Sequence, residues 1–145
     1  MSDFLETAKV LGLAEPPARI ASSLQYLSLV HKGFPVKSLE RVAQAVAPGD
    51  SHFKYRIVPR ATLARLKAKP PKKLSAEQSA VLSRVADVWQ MAVRIWKSEE
   101  QARQFLYREH PLLDRRRPVD LVLDNEVGAQ IVRDVLGRLE TGSAA

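Results

Sequence analysis

The sequence predicts an all-α protein of 145 residues. Apolar residues recur at helical spacing along most of the chain, and nothing shows convincingly the apolar–polar alternation that is typical of a strand. Serine-led capping boxes and proline or glycine stops separate the helical stretches. We therefore expect a helix-turn-helix region, then a long linker helix, then a small helical C-terminal module.

Residues 1–34 are expected to form an N-terminal helical segment. Apolar side chains at helical spacing predict a helix over residues 20–31. The Lys32-Gly33 pair is expected to end this helix.

The helix-turn-helix region is assigned to residues 35–73. Pro35 lies near the start of an amphipathic helix that ends at Pro48-Gly49. A short helix over 51–56, a tight connection and a helix over 59–69 complete the pattern. Two short helices joined by a tight turn are typical of a helix-turn-helix.

A long connecting helix is expected within residues 74–97. Ser75-Ala76-Glu77-Gln78 has the capping-box pattern, in which the serine and glutamine satisfy the first free N–H groups of a helix. A broad apolar stripe then continues to about Lys97.

Residues 98–145 are assigned to a C-terminal module. Ser98-Glu99-Glu100-Gln101 repeats the capping box and predicts a new helix. Pro118 is placed for the first turn of a short helix, Asp124 is a natural N-cap, and the last helix is expected over 125–140. Its nearly continuous apolar side indicates either core or a surface for self-association or for a partner protein.

Composition and motifs exclude several classes of chemistry. There is no cysteine, hence no disulfide framework, thiolate metal site or cysteine nucleophile. The histidines His31, His52 and His110 lack a second metal ligand at helical spacing and are expected to be surface or capping residues. Glycine-rich phosphate loops and nucleophile elbows are missing. We expect no enzyme activity, no metal and no cofactor.

The chain is expected to be cytoplasmic. No apolar run approaches the roughly 20 residues of a membrane-spanning helix. The N-terminus MSDFLETAKV carries acids where a signal peptide carries bases.

The positive charge is concentrated in one stretch. Residues 51–76 contain eight basic residues and no Asp or Glu, whereas the rest of the chain contains 15 bases and 16 acids. The net charge of +7 therefore arises in this stretch, which we call the acid-free segment. Such asymmetry indicates a polyanionic partner, with nucleic acid the first candidate.

The helix predicted over 59–69 is the candidate DNA reader. With Leu63 and Leu66 turned inward, Arg65 points outward among alanines that would let the backbone approach a groove. The alternative is an ordinary solvated basic face. The residues expected to contact bases or phosphates are Arg56, Arg60, Thr62, Arg65, Lys67, Lys69, Lys72 and Lys73.

The C-terminal part of the sequence resembles a known domain. FLYREHPLLDRRRPVDLVLDNEVGAQIVRDVLGRLETG is similar to the C-terminal toxin-binding domain of MbcA/ParS/Xre antitoxins. Upstream, GFPVKSLERVAQAV and VPRATLARLKAKPPKKLSAEQSAVLSRVADVW resemble the Xre-like helix-turn-helix and linker helix of the same antitoxins. The matching positions in the C-terminal domain are Pro111, Leu112, Leu113, Arg116, Pro118, Leu121, Val122, Leu123, Asp124, Gly128 and the run from Leu136 to Gly142.

The resemblance implies a function and a set of partners. Such antitoxins pair with RES-domain toxins that consume NAD⁺, cover the toxin's active-site entrance with the C-terminal segment, and repress their own operon. Homodimerisation and a larger heteromeric toxin–antitoxin complex are also implied. On the basis of the resemblance we expect Arg138, Glu140 and the tail to Ala145 to reach into or across the toxin's cleft, whereas composition alone favours a frayed terminus with no role. The expected toxin-binding residues are Arg116, Arg133, Arg138, Leu139, Glu140, Thr141 and Gly142. The alternative is a stand-alone dimeric helix-turn-helix transcriptional regulator without a toxin partner.

The chain departs from the family pattern at two turns. Asp114-Arg115 stands where relatives often have two glycines, so this bend must be made without glycine's freedom. Arg56 stands where the helix-turn-helix often has a glycine. The arginines at 115–117 are expected to fix the bend by pairing with Asp114, Asp120 or Asp124, or to face a partner protein.

Overall fold

The computed structural model describes residues 2–13 and 22–142, and it confirms the all-α fold class. These residues form two compact units, within residues 1–87 and 88–145. Across them lie eight α-helices and two 3₁₀ turns, with no strand longer than an isolated bridge. No described helix combines the length and apolar character needed to cross a membrane.

The N-terminal unit holds the first helices of the chain. α1 was not located individually from the sequence, and Ile20, where the helix of 20–31 was expected to begin, lies outside the described residues. The elements are α1 (Ser2–Leu11), α2 (Ser23–Lys32), α3 (Val36–Val46), a first 3₁₀ turn (Phe53–Arg56) and α4 (Arg60–Ala68). The next helix, α5 (Ala76–Trp96), begins in this unit.

The predicted short helix over 51–56 is a single 3₁₀ turn. The side chain of Asp50 accepts a hydrogen bond from the backbone N–H of His52, at 3.0 Å, so an Asx-type turn occupies the expected first residues. The N–H groups of Ile57 and Val58 both donate to the carbonyl of Lys54, which closes the turn. One turn is therefore all that fits before Pro59.

A short backbone bridge ties the end of the acid-free segment to the start of α3. Phe34 and Leu74 share a hydrogen bond of 2.8 Å, and the N–H of Val36 donates to the carbonyl of Lys72 at 2.9 Å. Gly33 makes this approach possible, because its φ is +92° and a Cβ there would overlap the Leu74 carbonyl oxygen. Neither the bridge nor this use of Gly33 was predicted.

Both predicted capping boxes begin helices where expected. Ser75 and Gln78 exchange hydrogen bonds reciprocally, with N···O distances of 3.0 and 2.9 Å, at the start of α5. The hydroxyl of Ser98 accepts from the N–H of Gln101 at 3.1 Å at the start of the next helix. The remaining elements are α6 (Glu99–Tyr107), a second 3₁₀ turn (Pro111–Leu113), α7 (Pro118–Asp124) and α8 (Glu126–Thr141).

The predicted N-cap of α8 is wrong by one residue. Asp124 is the last residue of α7, and Asn125 caps α8 by accepting a 2.8 Å hydrogen bond from the N–H of Gly128. Asn125 has extended backbone geometry, which an N-cap requires, whereas Asp124 is still helical. α7 and α8 pack together across Gly128, where a Cβ would overlap the carbonyl oxygen of Leu121.

Candidate DNA and partner-protein interfaces

The exposed side of α4 has the composition predicted for a reader helix. Leu63 is buried and Leu66 is half-buried, so they face the core. Arg65 is exposed, with alanines at 61, 64 and 68 also exposed around it. The small neighbours leave the Arg65 guanidinium accessible along this face.

Arg60 is held at the N-terminal end of α4 by an aromatic ring. Its guanidinium carbon lies 3.9 Å from the centroid of the Tyr55 ring, a close cation–π contact. Tyr55 belongs to the first 3₁₀ turn, so this contact joins the two parts of the helix-turn-helix candidate. Sequence reasoning missed Tyr55, although an aromatic residue five positions before a predicted reader arginine was a usable signal.

Two lysines of the acid-free segment are paired with an acid from outside it. Glu40 of α3 accepts from Lys67 at 2.6 Å and from Lys54 at 3.0 Å. Burial raises the pKa of the Glu40 carboxyl, but the hydrogen bonds from Lys67 and Lys54 outweigh this effect and hold the pKa below its usual value. Lys67, predicted as a phosphate contact, therefore has an internal partner.

The remaining predicted DNA residues lie mostly at the surface. Thr62 is half-buried in the first turn of α4. A shallow cleft of about 620 Å³ separates the start of α3 from the end of α4 and includes Lys67 and Lys72. The exposed members of the predicted set are Arg56, Arg60, Arg65, Lys67, Lys69, Lys72 and Lys73.

The bend before α7 is made with positive φ at two consecutive non-glycine residues. Asp114 has φ +57° and Arg115 has φ +64°. The N–H of Arg115 donates to the His110 carbonyl at 3.1 Å, and the N–H of His110 donates to the Arg116 carbonyl at the same distance. The left-handed geometry that glycines would adopt freely is therefore enforced by this pair of hydrogen bonds.

The arginine triplet divides into one structural and two exposed residues. Arg117 makes a two-pronged ion pair with Asp120, with both N···O distances 2.9 Å, and its guanidinium lies 5.2 Å from the centre of the Tyr107 ring. The prediction that an arginine of this stretch pairs with a nearby aspartate is confirmed for Arg117. Arg115 and Arg116 project into solvent.

The end of α8 presents the other residues expected to bind a toxin. Arg138, Glu140, Thr141 and Gly142 are exposed, and Gly142 ends the helix with φ +74°. The Thr141 hydroxyl donates to the Arg138 carbonyl at 3.1 Å. The rest of the predicted tail, residues 143–145, lies outside the described residues.

Two of the predicted toxin-binding side chains are engaged in ion pairs. Arg133 pairs with Glu126 at 2.7 Å along the exposed side of α8. Glu140 lies 3.5 Å from the guanidinium of Arg94, a residue that sequence reasoning missed. The Arg94–Glu140 pair is about half exposed and contributes little to stability, whereas the Arg133 side chain is only 19% exposed.

Leu139 lines an aromatic groove of about 400 Å³ beside this end of α8. The rings of Trp96 and Phe105 have centroids 6.2 Å apart, and those of Phe105 and His110 lie 6.0 Å apart. The Nδ1 atom of His110 accepts from the N–H of Leu112 at 3.1 Å, so this histidine is the capping residue that the sequence predicted. The described residues contain no cluster of acids and histidines that could hold a metal.

The comparison with protein families agrees with these two regions. Residues 25–87 match the antitoxin Xre-like helix-turn-helix domain, and residues 91–142 match the antitoxin Xre/MbcA/ParS C-terminal toxin-binding domain. The chain belongs to the Xre/MbcA/ParS family of antitoxins. No curated protein matches this antitoxin.

Each of the two matches contains one of the candidate surfaces of the antitoxin. The helix-turn-helix match contains the whole acid-free segment together with Glu40. The toxin-binding match contains the bend at Asp114 and Arg115, the glycine contact between α7 and α8, and the exposed end of α8. The fold and the antitoxin class thus follow from the same segments that carry the predicted residues.

Proposed function

We propose that this antitoxin neutralises an NAD⁺-consuming RES-domain toxin by covering the toxin's active-site entrance with the end of α8 and the tail to Ala145. The supporting observation is the match of residues 91–142 to a toxin-binding domain whose helix ends in exposed charged and small residues. Small residues after a helix fit a narrow cleft, and ordering a few of them costs little conformational entropy. The toxin supplies the NAD⁺ chemistry in this proposal.

The sharpest test is a double substitution, Arg138→Ala with Glu140→Ala. Both side chains are exposed, and the Arg94–Glu140 pair at 3.5 Å is partly solvated, so the fold should survive with a loss of less than about 1 kcal/mol. We expect toxin neutralisation to weaken at least tenfold, a loss of about 1.4 kcal/mol. Asp134→Ala, an exposed change one turn earlier on α8, is the matched control.

A truncation provides a second arm for this test. Removing residues 139–145 deletes the half-buried Leu139 and the whole tail. A truncated antitoxin that still protects cells from the cognate toxin would show that this end of the chain does not cover the active site. Full neutralisation by the double variant would contradict the proposal in the same way.

We further propose that the acid-free segment binds operator DNA and that the antitoxin thereby represses its own operon. Support comes from the outward side of α4, with Arg65 exposed and Arg60 held against Tyr55 at its first turn. Arg60→Ala with Arg65→Ala should weaken binding to the promoter DNA of its own gene by at least tenfold and leave toxin neutralisation intact. Equal DNA binding by variant and wild type would refute this reader surface.

The boundaries and assembly belong to the same proposal. We assign residues 1–34 to an N-terminal segment, 35–73 to the DNA reader, 74–97 to the connecting helix and 98–145 to toxin binding and dimerisation. The exposed apolar side chains of Val127 and Ile131, one turn apart on α8, support a homodimer and a larger heteromeric complex. A stand-alone dimeric regulator is the alternative, and failure to co-purify with any RES-domain protein would favour it.

A further inference from the structure

Glu40 joins two lysines that are far apart in the sequence. Lys54 lies in the first 3₁₀ turn and Lys67 in the last turn of α4, and each reaches one carboxylate oxygen of Glu40, at 3.0 and 2.6 Å. Lys54 also donates to the second oxygen at 3.4 Å. An acid from α3 thus lies against a segment that contains no acid of its own.

The three groups carry one net positive charge at neutral pH instead of two. The two lysine hydrogen bonds hold the pKa of Glu40 below its usual value, so this carboxyl is ionised at neutral pH and remains so into mildly acidic solution. The side chain of Lys54 is only 25% exposed, which reduces solvent screening of its pair with Glu40. The positive charge that the acid-free segment offers to a polyanion is therefore lower than its eight basic residues indicate.

The position of this cluster matters for DNA binding. Glu40 and Lys67 line the cleft between α3 and α4 together with Lys37 and Lys72. A phosphate group that approaches the cleft meets the Glu40 carboxylate as well as the lysines. The carboxylate competes with the phosphate for Lys67, whose side chain is about half exposed and able to reach either.

We infer that Glu40 is a counter-charge that limits the sequence-independent part of DNA binding. This inference rests on the proposed DNA-binding function. Each lysine that neutralises a phosphate releases counterions and steepens the dependence of affinity on salt. A lysine already paired with Glu40 contributes less, so contacts from the first turn of α4 carry a larger share of the affinity for the operator.

The test is Glu40→Gln, which keeps the shape of the side chain and removes its charge. The affinity for a labelled duplex of random sequence is measured by fluorescence anisotropy over a range of salt concentrations. We expect the slope of log affinity against log salt concentration to become more negative by about one to two, because up to two lysines become free to neutralise phosphates. The affinity at low salt should rise about three- to tenfold. The preference for promoter DNA over the random duplex should fall.

Glu77→Gln is the matched control. Glu77 is exposed at the start of α5, lies in the same unit and forms no ion pair among the described residues. The substitution changes the net charge by the same amount, so it separates a local effect of Glu40 from overall charge. Circular dichroism melting of both variants verifies that each remains folded.

A double-mutant cycle distinguishes charge release from a structural role. Lys67→Gln should reduce the salt dependence more strongly in the Glu40→Gln background than in the wild type. Additive effects, an unchanged salt dependence in Glu40→Gln, or weaker binding by that variant would overturn the inference. DNA binding by neither wild type nor Glu40→Gln would overturn the DNA-binding function itself, and the inference with it.

Discussion

Replacing Gly128 by alanine should destabilise the C-terminal unit, because α8 meets α7 at this residue with no room for a side chain. A Cβ at Gly128 would overlap the Leu121 carbonyl oxygen and lie 2.8 Å from its carbonyl carbon and 3.2 Å from its Cα. These are backbone atoms of α7. Backbone atoms within a helix cannot move away from a new Cβ by changing rotamer, as the end of a flexible side chain can.

The size of the effect is the difference between two terms. Overpacking a well-filled interior costs about 1–3 kcal/mol, and the backbone overlap here favours the upper end of that range. Alanine recovers about 1 kcal/mol relative to glycine inside a helix. The free energy of unfolding of the C-terminal unit should therefore fall by about 2 kcal/mol, which changes its folding equilibrium roughly 30-fold.

Gly137 offers a control on the same helix. A Cβ at Gly137 would have nothing within 4 Å, so Gly137→Ala gains the helix preference without a clash. We expect this variant to be more stable than the wild type by about 0.5–1 kcal/mol. The same chemical substitution, nine residues further along α8, should thus have the opposite sign.

Tryptophan fluorescence during a urea titration is the direct assay. The two tryptophans, Trp89 and Trp96, both belong to the unit formed by residues 88–145, so their signal reports on that unit. Gly128→Ala should lower the urea midpoint and Gly137→Ala should raise it. A Gly128→Ala midpoint equal to or above that of the wild type would refute the packing argument.

Three further variants test the backbone geometry at two sites and the half-buried Tyr26. Arg115→Gly should raise the free energy of unfolding by about 0.5–1 kcal/mol in the same assay, because φ at Arg115 is +64°; a lower value would contradict strain at the bend. Gly33→Ala, at φ +92° against the Leu74 carbonyl, should lower the melting temperature seen by circular dichroism, and an unchanged melt would count against the bridge. Burial raises the pKa of Tyr26 to about 12, so an ultraviolet titration should show one late tyrosine component that disappears in Tyr26→Phe. The pKa of Tyr26 in the folded protein lies above the ordinary 10.0, so the stability that the neutral Tyr26 hydroxyl contributes is complete below pH 10 and is lost as the pH rises towards 12. Ionisation of Tyr26 near pH 10 would contradict this prediction.

Elements defined by neighbouring residues were predictable. The capping boxes at Ser75 and Ser98 depend on bonds between residues three apart, and the structure contains both. The outward position of Arg65 followed from the helical period alone. These features need no knowledge of the distant parts of the chain.

Features that depend on distant residues were not predictable from one sequence. The pairing of Glu40 with Lys67 joins residues 27 positions apart. The contact of Gly33 with the Leu74 carbonyl depends on how the chain returns after α4. The charge count of the acid-free segment was correct, but its electrostatic strength depends on an acid that only the fold supplies.

Local rules also failed where two residues could satisfy them equally. Asp124 and Asn125 are both good N-caps, and the backbone geometry at the end of α7 selects Asn125.

At the bend, glycine was absent from the sequence, yet Asp114 and Arg115 adopt positive φ because hydrogen bonds to and from His110 hold them there. Backbone hydrogen bonds within residues 110–116 therefore overrode residue propensity in this case.

The proposed block of a RES-domain toxin by the end of α8 can be tested with purified proteins. The antitoxin is mixed with the RES-domain protein proposed as its partner, and NAD⁺ consumption is followed. We expect a stable complex in which NAD⁺ loss stops with the wild type and continues with the Arg138→Ala, Glu140→Ala variant. NAD⁺ consumption that is unaffected by the wild-type antitoxin, or stopped equally by both proteins, would contradict it.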